Sequence, residues 1–276
     1  MALSMLTNVS SLGAQRNLAK TNNAVSKNIA RLSSGMRINR SADDAAGLAI
    51  TSKMSAHIRG LSQAERNSND AVSLIQTAEG GLNEINGLLT RMRELAVQSS
   101  TGGTLVTSDR SALNQEFQAL ESEIDRIVNV TKYNGQELLN GAISTGVSFQ
   151  VGIVNSGNDR ITLSLAGANS GSLSTNGSTL STASKSQLAI TQIDSAIDRV
   201  ASRRNKLGST QNRLAVTISN LGSIKENLSA ANSRIRDVDV AAETADMSRN
   251  QILMQAGVSV LSQANQMPGM VLSLLG

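Results

Sequence analysis

The residues of this chain that could do chemistry are few and scattered. Its single histidine, His57, has no Cys, Asp or Glu at ligand spacing. A lone imidazole of that kind reads as a surface residue rather than a general base or a metal ligand. The best carboxylate group is Asp237, Asp239 and Glu243. Spacings of two and four near a helix start suit capping and dipole pairing better than an acid–base pair. Asp43 and Asp44 read the same way. Serines are many, but one histidine and no local nucleophile motif leave a catalytic triad without partners. With no cysteine, disulfides, zinc–thiolate sites and cysteine nucleophiles are excluded. No glycine-rich phosphate loop is present. The methionines fall at helical spacing, as core filler rather than a metal site. The expectation is a protein that is not an enzyme and holds no cofactor or metal.

Composition points the same way. In 276 residues the aromatics are Phe117, Phe149 and Tyr133 alone, and Pro268 is the one proline. A core without aromatics must come from Leu, Ile, Val, Ala and Met. Such a core suits narrow helix–helix seams and poorly suits a deep ligand pocket. The net charge is +4, with both signs scattered along helical faces. Basic residues gather at Arg31, Arg37 and Arg40 and at Arg199, Arg203, Arg204 and Lys206, without interleaved aromatics for stacking on bases. Nucleic acid is therefore not expected as a partner. The N-terminus lacks the basic start and apolar run of a secretory signal, and no apolar run is long enough to span a membrane.

The elements that must position these residues are mostly helices. Ile193, Val200, Leu207, Leu214, Leu221, Leu228 and Ile235 recur every seven residues, the pattern of a helix held against other helices. Over Ser186–Ile235 this predicts one helix of about 70 Å. Its companion row is interrupted by Arg204, Gln211 and Lys225, which leaves polar flanks. Residues 61–99 predict a second long helix, with one row through Ile75, Leu82, Leu89 and Ala96 and another through Ala71, Ala78, Ile85 and Met92. A third covers 109–130, with Leu113, Phe117, Leu120, Ile124 and Ile127 inward and Ser108 or Asp109 as cap. The short glycine-rich link between them makes these two antiparallel. A short helix at 45–58, capped by Ser41, precedes the second.

Residues 147–165 alternate apolar and polar around Asn155-Ser156-Gly157-Asn158, which predicts a β-hairpin. The Ser/Thr/Gly/Asn-rich stretch 166–186 reads as a surface loop or flexible linker that buries nothing. The ends, 3–33 and 241–275, predict weakly charged, amide-rich amphipathic helices that would be marginal alone in water. The expected pairing sets Leu3, Leu6, Val9, Val25, Ile29 and Leu32 against Ile252, Leu253, Val260, Leu261 and Leu272.

Several motifs carry a resemblance. They are Ala30–Asn39 (ARLSSGMRIN), Asp43–Ile50 (DDAAGLAI), Arg93–Gln98 (RELAVQ), Ser233–Asp239 (SRIRDVD), Ser248–Gly257 (SRNQILMQAG) and the run from Ala264 to Leu275. In this order, at both ends, they resemble bacterial flagellin. The resemblance covers roughly 1–165 and 186–276. It implies a secreted subunit of the extracellular flagellar filament, exported through the type III apparatus and serving motility. Its partners would be other copies of itself, an export chaperone, and junction and cap proteins.

The implied fold class is mainly α, an elongated antiparallel helical bundle or coiled coil with a small β-hairpin region and paired terminal helices. The implied domains are 1–40 with 237–276, a terminal coiled coil lining the filament channel and ordering on polymerisation, and 41–165 with 187–236, a rod-like helical domain. Loop 166–186 would stand where larger members insert outer domains. The resemblance also implies recognition by a Toll-like innate immune receptor at Arg91, Leu95 and Glu116, although Leu95 has an ordinary place in the heptad seam. A hook–filament junction protein has similar ends. From a different class, a soluble coiled-coil scaffold or a membrane-surface helix would share the periodicity, but the terminal helices lack the Lys/Arg face and aromatic anchors that membrane binding needs.

Overall fold

The structure, a computed structural model, describes residues 7–103 and 105–275, with side chains described through Met267. Among them six α-helices and two pairs of short antiparallel strands make up the fold, mainly α as the sequence predicts. The chain divides into two compact units. One comprises the residues up to Ala56 with those from Asn227; the other is His57–Glu226. The boundaries fall inside the two longest helices, α2 (Ala45–Ser100) and α5 (Ala183–Arg236).

The unit His57–Glu226 holds the main core. Both predicted rows of α2 are buried, from Ala71 through Ala96, and so are Ile193, Val200, Leu207, Leu214 and Leu221 of α5. α5 runs antiparallel to α2, with Arg93 Nε 2.7 Å from Asp194 Oδ1 at one end and Lys225 Nζ 2.5 Å from Glu65 Oε2 at the other. α3 (Thr107–Val130) returns along α2, where Arg110 donates to the carbonyl oxygens of Ser99 and Thr101. Its cap is neither Ser108 nor a free Asp109. Asp109 instead sits at the third helical position and accepts the Val106 N–H at 3.2 Å. Gly81 is a place of close approach. A Cβ there would lie 2.7 Å from Leu139 Cδ1 and 2.8 Å from Thr131 Oγ1.

Two turns place small strands on this floor. Asn134 and Gly135 both take positive φ and join β1 (Lys132–Tyr133) to β2 (Gln136–Glu137), as an Asn-Gly hairpin turn requires. The predicted hairpin forms between β3 (Val147–Gln150) and β4 (Arg160–Leu163), with Phe149 opposite Ile161. It is shorter than its alternation suggests. Beyond Gln150 the chain opens into a loop closed by Asp159, which accepts the N–H groups of Val151 and Val154 through its carbonyl and carboxylate.

Three expectations are overturned. First, 45–58 and 61–99 are one helix, because Gly60 costs a helix only about 1 kcal/mol and no proline stops it. Its cap is Asp44, whose carboxylate accepts the Gly47 N–H at 2.8 Å, not Ser41. Second, the residue that breaks the companion row of α5 is Arg203. It lies between Ala196 and Thr210 in the inward row, 8% exposed and without a hydrogen-bond or ion-pair partner. Burial, and then Arg199 beside it, push its pKa below the ordinary arginine value. Arg204 and Lys225 escape to the flanks, where they pair with Glu79 and Glu65.

Third, 166–186 is packed rather than loose. Ala168, Leu173, Thr175 and Leu180 are fully buried and join the core. Between Leu163 and α5 the chain makes only the single turn α4 (Ser170–Leu173), and side chains stand in for a backbone ladder. Asp125 accepts from both the N–H and the hydroxyl of Ser170 at 2.8 Å, and Asn114 accepts the Leu180 N–H at 2.8 Å. Arg199 donates to the Ser172 carbonyl and the Ser174 hydroxyl. Hydroxyl-rich composition hid this strap, since Ser, Thr and Asn bond the backbone locally as readily as they solvate a linker. Accordingly, Leu173→Ala is expected to lower the unfolding free energy by about 2–5 kcal/mol in chemical denaturation. A change within about 0.5 kcal/mol, the usual size for a surface substitution, would contradict the packing.

Candidate assembly surface

The other unit is organised around α1 (Val9–Ser34) and α6 (Val240–Leu275), packed side by side in opposite directions. Asn8 caps α1, accepting the Ser11 N–H through its side chain, and donates its amide to the Ala264 carbonyl at 2.8 Å. Ser11 donates to Asn265 Oδ1 at 2.7 Å. At the opposite end the backbones bridge, with Met36 antiparallel to Asp237, and Arg37 donates its N–H to the Arg236 carbonyl. Gly35 closes α1 in the left-handed conformation that favours glycine.

The corner after α1 is held by one carboxylate. Asp43 pairs with Lys27 at 2.9 Å and accepts the N–H groups of Asn39 and Arg40. The Lys27 contact, and then the backbone donors, hold its pKa down to about 2. Any stability this corner adds is therefore present above the ordinary aspartate value and is lost only as pH falls toward 2.

The seam between α1 and α6 is weak in apolar content. The α1 row facing inward is Ser11, Ala14, Leu18, Thr21, Val25, Asn28 and Leu32, at alternating spacings of three and four. The facing row of α6 is Glu243, Met247, Asn250, Met254, Gly257, Leu261 and Ala264. The expected pairing is corrected here. Val25 is buried and Leu32 and Leu261 are half-buried, but Val9, Ile29, Ile252, Leu253 and Val260 face water. Val9 and Ile252 are each 66% exposed. The sequence reading missed the phase because it followed aliphatic content, and the inward rows are chosen by small size and amides. Leu3 and Leu6 lie outside the described residues, as does the side chain of Leu272.

A second set of predicted positions lies in the other unit. Arg91 is exposed and forms ion pairs with Glu116 at 2.8 Å and Glu94 at 3.0 Å. These contacts, Glu116 first, raise its pKa. Leu95 is 1% exposed, its side chain taken up by the core, so it offers no surface for a partner in this structure. No helix among the described residues is long and apolar enough to cross a membrane.

Comparisons with known proteins match both ends of the chain. Residues 5–144 match the bacterial flagellin N-terminal helical region, and 190–275 the bacterial flagellin C-terminal helical region. A flagellin of Halalkalibacterium halodurans is 49% identical over 270 residues, covering 97% of this chain and 98% of that one. The flagellin of Bacillus subtilis is 42% identical over 298 residues, covering 97% and 98%. Among solved structures, a protein described as hook-associated, from Vibrio parahaemolyticus, superposes with a TM-score of 0.59 at 14% identity over 71% of this chain and 100% of that one, a likeness of fold alone. With both family regions present and relatives matched along nearly their whole length, the chain belongs to the bacterial flagellin family, whose members are structural, non-enzymatic subunits of the extracellular flagellar filament.

Proposed function

We propose that α1 and α6 are the polymerisation element of this filament subunit and that their aliphatic faces are covered by other copies of the chain. The supporting observation is the phase of the pair: Val9, Ile29, Ile252, Leu253 and Val260 face water, while the intrachain seam mixes Leu18, Val25, Leu32, Met247, Met254 and Leu261 with amides, glycine and small residues. Burying one such side chain contributes about 1.5–3 kcal/mol. A seam this thin leaves the two helices marginal in the single chain, and contact with neighbours offsets the cost of ordering them. The terminal helices thus order as copies stack. Leu3, Leu6 and Leu272 belong to the same element by sequence.

In this reading 1–40 with 237–276 line the filament channel, and 41–165 with 187–236 form the surrounding rod. The strap over 166–186 stands where larger relatives carry outer domains. Secretion through the type III apparatus with a chaperone, and contact with junction and cap proteins, follow from the family resemblance. Recognition by a Toll-like receptor would rest on the exposed Arg91–Glu116 pair, with Leu95 supporting the helix from within.

Ile29→Asp and Val260→Asp, singly, are expected to raise the critical concentration for polymerisation at least tenfold while the unit His57–Glu226 keeps its thermal midpoint. Sedimentation of seeded reactions reads the first and calorimetry the second. Polymerisation at the parental concentration would refute the assignment. For the receptor, Arg91→Ala is expected to lower the response of a reporter cell line severalfold at equal protein dose, and an unchanged response would remove that part of the reading.

A further inference from the structure

The seam between α1 and α6 contains a buried polar layer. Glu243 stands in the first turn of α6, where the helix dipole favours a carboxylate, but it is also buried against α1. Asn28 and Glu243 are both buried, and Arg31 is half-buried one turn along α1 from Asn28. With the Asn28 amide oriented so that its nitrogen faces acceptors and its oxygen a donor, it donates to Glu243 Oε1 at 3.3 Å and to the Ala24 carbonyl at 2.8 Å, and its oxygen accepts the Met247 N–H at 3.0 Å. Arg31 Nη1 lies 3.6 Å from Glu243 Oε2, and Arg31 Nε is buried without a partner. A loose, incompletely satisfied ionic layer stabilises little, and apolar residues in its place would often be the more stable choice. Its recurring use in paired helices is to fix which faces meet.

The alternatives it excludes can be read from the residues. If α1 slid by one heptad, Glu243 would face Thr21 and Ala24 in place of Asn28 and Arg31, and a buried carboxylate would lose both partners. If the helices turned about their axes to bring the exposed Ile29 against Val240, or Leu12 against Val260, which lie level with each other across the pair, more aliphatic surface would be covered within the chain, but Asn28 and Glu243 would separate. The backbone bridge at Met36–Asp237 fixes the level at which the end of α1 meets the start of α6 and leaves such a rotation open.

We infer that Asn28, Arg31 and Glu243 set the rotational phase of the terminal pair, so that the chain does not bury its own aliphatic faces and these stay available to a second copy. They are specificity-determining residues for assembly, acting against self-closure. This rests on the proposed role of α1 and α6 in polymerisation.

The chain has no cysteine, so an engineered pair can report the phase cleanly. A Cβ at position 257 lies 3.4 Å from Leu18 Cδ1, which makes Leu18→Cys with Gly257→Cys a suitable pair. In that background, Asn28→Leu with Glu243→Leu is expected to reduce oxidative crosslinking of the pair at least fivefold. It should also slow amide exchange at the chain ends of the monomer and raise the critical concentration at least tenfold. The same crosslink yield and the parental critical concentration would overturn the inference.

A charge exchange guards against simple misfolding. Glu243→Arg alone should abolish polymerisation, and adding Arg31→Glu should restore it to within a fewfold of the parent. A single variant that polymerises normally, or an exchange that restores nothing, would count against the layer. The two levels separate cleanly: if Ile29→Asp polymerises normally the assembly role itself falls, whereas normal behaviour of the layer variants alone removes only this inference.

Discussion

Water's exclusion of aliphatic surface is the constraint on which the terminal unit depends. α1 and α6 meet through serine, threonine, asparagine, glycine, alanine and a few longer apolar side chains, and turn Val9, Ile29, Ile252, Leu253 and Val260 outward. An amphipathic helix in an ordinary domain does the opposite, placing its strongest stripe in the core. In the proposed reading a chain arranged this way is incomplete by itself, and a polymer of identical copies completes it.

The unit His57–Glu226 contrasts at each point. Its heptad rows are buried on α2 and α5, Phe117 fills the space beneath α3, and a strap without regular structure is fastened by hydroxyl and carboxylate contacts to Asp125, Asn114 and Arg199. It closes on itself and needs no neighbour for its core. Arg203 is the exception, an unpartnered guanidinium in an otherwise apolar and small-residue row. The difference between the units is one of composition rather than of secondary structure, because both are built from long helices without proline in their described seams.

How much was legible follows from what each kind of pattern records. Heptad periodicity is a direct image of burial where apolar residues do the burying, so the rows Ile75–Ala96 and Ile193–Leu221 could be read from spacing alone. At Asn134-Gly135 both residues take positive φ, the conformation that this residue pair favours in a hairpin turn, so such a turn leaves a mark in sequence. Three things were not legible. Caps moved: Asp44 rather than Ser41 accepts the Gly47 N–H, and at the start of α3 Asp109, at its third position, accepts the Val106 N–H. The strap at 166–186 disappeared into a composition that also describes flexible linkers. The phase of α1 on α6 was misassigned, because aliphatic count points outward here, and only the amide positions Asn28 and Asn250 and the small residues Ser11, Ala14 and Gly257 mark the inward row. The polar layer at Asn28, Arg31 and Glu243 could have been found by asking which buried-phase position carried a carboxylate with a basic partner on the other terminal helix.

The central claim is that the outward faces of α1 and α6 are covered by other copies in the filament. Amide hydrogen exchange compared between monomer and assembled filament tests it most directly. The account predicts that segments 9–34 and 240–267 exchange within seconds to minutes in the monomer and are protected at least a hundredfold more in the filament, while the core of α2 and α5 changes little. Equal protection of the terminal helices in both states would contradict it.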